Sequence, residues 1–124
     1  MSATNTVISS NRKKELTNQY IHELDQHVSD LKAGKIDFSM EIREFAELLH
    51  VHPVHLSATV KEVTGQTTCQ LFEERLVRIS KELLRESDRK IADIARQLTY
   101  DPSNFTKFFK HYTGITPKQY RKKV

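Results

Sequence analysis

The 124-residue chain has no tryptophan, one cysteine, three glycines and three prolines. With Cys69 alone, an intramolecular disulfide is excluded, and the chain must be held together by packing. No apolar run approaches the roughly 18 residues that a membrane span requires, and residues 1–10 lack the basic start and apolar stretch of a secretory signal. A cytoplasmic location without a membrane partner is therefore expected. Few breakers interrupt the helix-forming stretches, and no segment alternates apolar and polar residues for long, so the expected fold class is all-α. The sequence also has no Gly-rich phosphate loop and no recognisable catalytic constellation, which argues against an enzyme and implies no cofactor.

The formal net charge is +4, and its distribution is uneven. Residues 1–84 carry 10 Lys and Arg against 12 Asp and Glu, whereas residues 85–124 carry 10 against 4. A basic C-terminal third suits a polyanion such as nucleic acid or an anionic membrane surface, and the charge alone does not choose between them.

Periodicity predicts seven helices. Residues 1–11, rich in Ser, Thr and Asn, read as a disordered lead-in. Over 12–33, Leu16, Tyr20, Leu24, Val28 and Leu31 share one face, and Gly34 follows as a C-cap. Ser39 is the expected cap of a second helix over 40–49. Pro53 opens a third over 53–64, with Leu56, Val60 and Val63 inward and Gly65 as its stop. A long breaker-free helix over 69–85 follows. Ser87 or Asp88 would cap the fifth, over 89–98. Pro102 starts a sixth that ends near Gly114, with Phe105, Phe109 and Tyr112 inward, and Thr116-Pro117 opens a short closing helix through Lys123. The expected organisation is a lead-in (1–11), an N-terminal helix with a first lobe (12–68), a linker helix (69–86), and a second lobe with a closing helix (87–124).

An internal repeat organises these elements. FAELLHVHPVHLSATVKEVTG (45–65) aligns without a gap to IARQLTYDPSNFTKFFKHYTG (94–114) at an offset of 49, and six of the 21 positions are identical: Ala46/Ala95, Leu49/Leu98, Pro53/Pro102, Lys61/Lys110, Thr64/Thr113 and Gly65/Gly114. A small Ala lets a second helix cross closely, apolar residues on either side of the turn fill the wedge, Pro starts the second helix, and Gly ends it. That is the layout of a helix-turn-helix, present twice.

The outward positions of the third helix are Val54, His55, Ser57, Ala58 and Lys61; those of the sixth are Ser103, Asn104, Thr106, Lys107 and Lys110. Short polar side chains near the start of such a helix suit base edges in the major groove, Asn being the usual partner of adenine. Lys107 fits guanine or a phosphate. Lys61, Lys110, Lys118 and Arg121 stand nearer helix ends and are candidates for phosphate anchoring. The first helix is the weaker one electrostatically, with Glu41, Glu44, Glu47 and Glu62 close by, although Val54 and Ala58 suit thymine methyl groups.

These residues resemble the AraC/XylS family of bacterial transcription regulators over about residues 37–122. The most specific segment is IADIARQLTYDPSNFTKFFKHYTGITPKQYR (91–121), similar to the family's second lobe and closing helix; HLSATVKEVTG resembles its first lobe and ERLVRISKELL its linker helix. Thr99-Tyr100 stands where the family usually has Gly-Phe, the turn before Pro102 is one residue shorter than the common pattern, Val60 replaces Phe, and Ser80 replaces Ala. The resemblance implies two helix-turn-helix lobes on a linker helix. Their recognition helices, about 53–64 and 102–112, would enter successive major grooves of double-stranded DNA, so that a monomer binds an asymmetric site in the bacterial nucleoid and contacts RNA polymerase. The extra N-terminal helix favours a standalone regulator over a fragment.

Two further features have plainer readings. His50, His52 and His55 have a spacing that zinc accepts, but no fourth ligand is placed, and a polar turn at a helix start explains them. Cys69, near a helix start, reads as a half-buried structural thiol more readily than as a redox sensor. The rival function is a helical protein-interaction module or adaptor with only non-specific DNA affinity.

Overall fold

The computed structural model describes residues 2–124 and contains seven helices, with no strand among the described residues: α1 (Ser2–Lys32), α2 (Ile42–Leu48), α3 (Pro53–Thr64), α4 (Thr68–Glu86), α5 (Ile91–Gln97), α6 (Pro102–Thr113) and α7 (Pro117–Lys123). None of the helices is long and apolar enough to cross a membrane. The helix count and the starts of α3, α6 and α7 agree with the periodicity. The lead-in does not: residues 2–11, expected to be disordered, lie within α1, and Met1 falls outside the described residues. Ser, Thr and Asn are weak helix formers, but adding residues to an existing helix is far easier than nucleating one.

The chain divides into two compact units, Met1–His27 with Met40–Phe72, and Val28–Ser39 with Glu73–Val124. Both long helices thus change units part-way along, where the sequence reading placed boundaries at 68/69 and 86/87.

In the first unit, Phe45 and Ala46 of α2 and Leu56, Thr59 and Val60 of α3 are buried with Thr17, Tyr20 and Leu24 of α1. The Tyr20 and Phe45 rings meet edge to face at 5.3 Å, and His27, also buried, lies edge-on to Phe45 at 5.8 Å. His27 Nε2 accepts a hydrogen bond from the Met40 N–H at 3.1 Å, fixing the segment that enters α2. The cap of α2 is Glu41 rather than Ser39, with the Glu44 carboxylate accepting from the Glu41 N–H at 3.4 Å.

In the second unit, Ile94, Ala95, Leu98, Phe105 and Phe109 are buried with Val28, Leu31, Leu76, Ile79 and Leu84. The end of α1 belongs here for two reasons. Gln97 Nε2 donates to the Leu31 and Lys32 carbonyls at 3.2 and 2.6 Å, and Lys32 Nζ lies 2.5 Å from the Glu82 carboxylate. Helix α5 begins after Lys90 with no side-chain cap, while the Ser87 hydroxyl donates backward to the Leu83 carbonyl. Val63 and Tyr112, expected inward, are both exposed. Each stands one turn past the buried stripe of its helix, and Tyr112 reaches sideways to donate to Glu73 at 2.7 Å.

Candidate nucleic-acid interface

The two helix-turn-helix hairpins are built by the same local chemistry, position for position at an offset of 49. Helices α2 and α5 both end in a Schellman motif. The N–H of His50 bonds the Glu47 carbonyl and that of Val51 bonds Ala46; the N–H of Thr99 bonds Arg96 and that of Tyr100 bonds Ala95. This closure forces the residue after the C-cap into the left-handed region, and His50 (φ 58°) and Thr99 (φ 69°) are the only non-Gly residues with positive φ among those described. At both places a residue with a Cβ stands where glycine is preferred.

Three residues after His50 and Thr99 each recognition helix opens on proline, which needs no N–H there. His52 Nδ1 accepts from the Val54 N–H at 3.2 Å, and the Asp101 carboxylate accepts from the Ser103 and Asn104 N–H groups at 3.1 and 3.4 Å. The Ser103 hydroxyl, at 2.6 Å, and the Asn104 N–H hold the Asp101 carboxyl below its ordinary range. Both helices end at a left-handed glycine, Gly65 (φ 77°) and Gly114 (φ 83°), whose N–H bonds Lys61 and Lys110 respectively. Thr64 and Thr113 then tie the exits: their hydroxyls bond the Val60 and Phe109 carbonyls at 2.7 and 2.8 Å, and the Gln66 and Ile115 carbonyls beyond the glycine.

The equivalence runs further than the sequence alignment, which stopped at Gly65 and Gly114. Thr67 and Gln70 form a reciprocal capping box at the start of α4, and Thr116 and Gln119 form the same box at the start of α7. The identities Thr67/Thr116 and Gln70/Gln119 at the same offset were the available signal.

Burial follows the same pattern along the two recognition helices except at one pair, where Thr59 is buried and Phe108 half-buried. Val54, His55, Ala58 and Lys61 are exposed and Ser57 half-buried on α3, matching Ser103, Asn104, Lys107, Lys110 and Thr106 on α6. All ten expected positions are therefore at least partly accessible. Asn104, Lys107 and Lys110 make no side-chain hydrogen bond or ion pair to the described residues, whereas Thr106 donates to the Pro102 carbonyl at 3.1 Å. Lys118 is exposed on α7. On α3, Glu62 is ion-paired with Lys13 at 3.0 Å, which offsets part of the acidic surroundings.

Arg121, expected as a phosphate anchor, also has partners within the protein. Its Nε, Nη1 and Nη2 donate to the carbonyls of Leu84, Arg89 and Ser87 at 3.2, 2.6 and 3.2 Å. The guanidinium thus closes the α4–α5 connection, a fork geometry that lysine lacks.

The histidine cluster has an equally local explanation in the His52 cap, and among the described residues no group of His, Cys, Asp and Glu is arranged to hold a metal. Cys69 is exposed rather than half-buried.

Known proteins share this architecture. Residues 45–123 match a family described as "Helix-turn-helix domain". The uncharacterized HTH-type transcriptional regulator YtdP of Bacillus subtilis is 33% identical over 88 residues, covering 70% of this chain and 11% of that protein. A second such regulator, YisR, is 33% identical over 84 residues, covering 67% of this chain and 29% of its own length. The chain thus spans well under half of these curated relatives. The C-terminal domain of AraT, a response regulator from Geobacillus stearothermophilus, superposes with a TM-score of 0.76 at 26% identity, covering 88% of this chain and 85% of that one. With two matched hairpins, their shared caps and a family match over most of its length, the chain belongs to the AraC-type helix-turn-helix family.

Proposed function

We propose that this chain is a sequence-specific regulator of transcription that binds double-stranded DNA through the exposed faces of α3 and α6. The observation that carries the reading is the pairing of accessible positions: ten side chains at equivalent places on two equally capped helices, with Asn104, Lys107 and Lys110 uncommitted to other groups in the protein. Surface charge alone would not require that repetition. The names of YtdP and YisR as transcriptional regulators support the same class.

In this reading α3 and α6 enter successive major grooves, as linked readers about 34 Å apart do. Asn104 and Lys107 read bases, and Lys61, Lys110 and Lys118 hold phosphates. The chain binds as a monomer on an asymmetric site, works in the bacterial cytoplasm at the nucleoid, and contacts RNA polymerase through surface outside the two recognition helices.

The test is selection from a random duplex pool at about 150 mM salt, followed by a footprint of the enriched sequence. Two short protected blocks one helical turn apart are expected. Binding that is general in sequence and vanishes at that salt would overturn the reading in favour of a protein-interaction module.

A further inference from the structure

The two recognition helices share a scaffold and differ in the chemistry of their faces. Against α6's Ser103 and Lys107, α3 sets Val54 and Ala58 at the same two positions, and Val54 is 70% exposed. A valine so exposed at the start of a helix gains nothing from the fold. It also stands at the wall of a recess of about 460 Å³, to which Ile42, Pro53, Val54 and Ala58 contribute apolar surface and which Ser57, Lys61, Thr67 and Thr68 also line. The recess therefore lies on the face of α3 assigned above to the DNA, and the surface it exposes is mostly apolar despite those four polar residues.

Of the four bases, only thymine presents an apolar group, its C5 methyl, in the major groove. Thymine shares with the other bases a polar group at its edge, O4, but it alone adds a methyl that Val54, Ala58, Ile42 and Pro53 can cover, whereas the amino donors of cytosine and adenine and the acceptors of guanine gain nothing from those four side chains. We infer that the first lobe selects its half-site by thymine methyl groups seated against Val54 and Ala58, while the second lobe selects by hydrogen bonds and charge through Asn104 and Lys107. This rests on the DNA-binding function proposed above and deepens it. Lys61, on the same recess, supplies the neighbouring phosphate contact, so the methyl-reading surface is anchored despite the acidic residues of α2.

Replacing thymine by deoxyuridine removes the methyl and leaves the Watson–Crick pair intact, so it isolates this contact. The full chain is bound to its selected site, and the block facing the first lobe is located by cleavage from a metal chelate attached to Cys69, the chain's only cysteine, which is exposed and lies in the first unit. Each thymine of both blocks is then replaced in turn. At one or more positions of the first-lobe block, affinity is expected to fall about four-fold per methyl, the equivalent of one apolar carbon group returned to water. The second-lobe block is expected to be unaffected, and in Val54→Ser protein the sensitivity is expected to fall to nearly none. Val54 is exposed, so this variant folds.

A first-lobe block without thymine, or one whose thymines tolerate deoxyuridine, would overturn the inference and leave the DNA-binding function standing. Equal sensitivity in both blocks would also overturn it, since that outcome belongs to a change in duplex shape. Failure to enrich any sequence would overturn both.

Discussion

The Arg121 guanidinium donates to the Arg89 carbonyl at 2.6 Å, and the same side chain reaches Leu84 and Ser87. Three carbonyls of the stretch where α4 gives way to α5 thus converge on one residue of α7. The group is partly accessible, so water takes over some of these bonds when it is removed. Arg121→Ala is expected to destabilise the protein by about 1–2 kcal/mol, with Arg121→Lys recovering only part of that. Denaturant unfolding measures it. A phosphate anchor would behave differently, leaving stability unchanged and lowering the salt slope of DNA binding by about one unit.

His50 and Thr99 hold left-handed backbone at the two equivalent turns. Threonine is the less tolerant of the two, because its branched Cβ crowds the backbone at positive φ. Thr99→Gly is expected to stabilise the protein by about 1 kcal/mol, after allowing for the greater freedom of glycine in the unfolded chain, and His50→Gly by somewhat less. Both side chains are exposed, so no packing is lost. A lower denaturation midpoint for Thr99→Gly would show that its side chain has a role outweighing the strain.

Asn104 and Lys110 sit on one helix and are assigned opposite duties. Lys110→Ala is expected to weaken binding alike on all sequences and to reduce the salt slope by about one unit. Asn104→Ala is expected to leave the slope unchanged and to relax preference at one base position by about 1–3 kcal/mol. Titrations at several salt concentrations, on the selected site and on single-base variants of it, separate the two effects.

Thr17 is buried, and its hydroxyl has no hydrogen-bond partner among the described residues. A buried hydroxyl without a partner opposes folding, whereas valine has nearly the same shape and no polar atom. Thr17→Val is expected to raise stability by about 1 kcal/mol with no change in DNA affinity. Unfolding and binding measured on the same preparation test both statements.

Lys32 is held above its ordinary pKa of 10.5, first by its hydrogen bond to Glu82 and then by the charges of Glu82 and Glu86. A raised value in the folded state means that this contribution is fully present below 10.5 and is lost as the pH rises through the folded value. Its size is limited because the side chains are 33% and 26% exposed. A double-mutant cycle of Lys32→Met and Glu82→Gln is expected to give about 0.5–1 kcal/mol of coupling near neutral pH and none at strongly alkaline pH. Coupling that persists at alkaline pH would mean that packing of the lysine stem, rather than charge, links the two residues.

Much of the helical framework was legible in the sequence because punctuation and periodicity agreed. Pro53, Pro102 and Pro117 mark three starts correctly, Gly65 and Gly114 mark two stops, and the buried stripe of α6 follows from Phe105 and Phe109. The sequence was silent where the decisive partner is distant in sequence or is a backbone group. Nothing near Ser39 shows that Glu41 and Glu44 cap α2, and nothing around His27 indicates that its ring accepts from Met40. Arg121 looks like any basic residue at a helix end until the carbonyls of Leu84, Ser87 and Arg89 are seen to converge on it. The ten positions on α3 and α6 were readable because accessibility on a helix follows its 3.6-residue period. Their individual bonds, such as Thr106 to Pro102, were not.

The capping boxes at Thr67–Gln70 and Thr116–Gln119 make α4 and α7 begin as the same helix. The 49-residue block is therefore modular at its seam: whatever follows the second hairpin receives the same launching geometry as the linker that follows the first. Fusing the sequence of α4 and a further hairpin onto the opening of α7 would extend the chain by a third lobe through a junction that it already uses once. The length of DNA contacted by such a protein would then be set by copy number rather than by redesign of any reading surface.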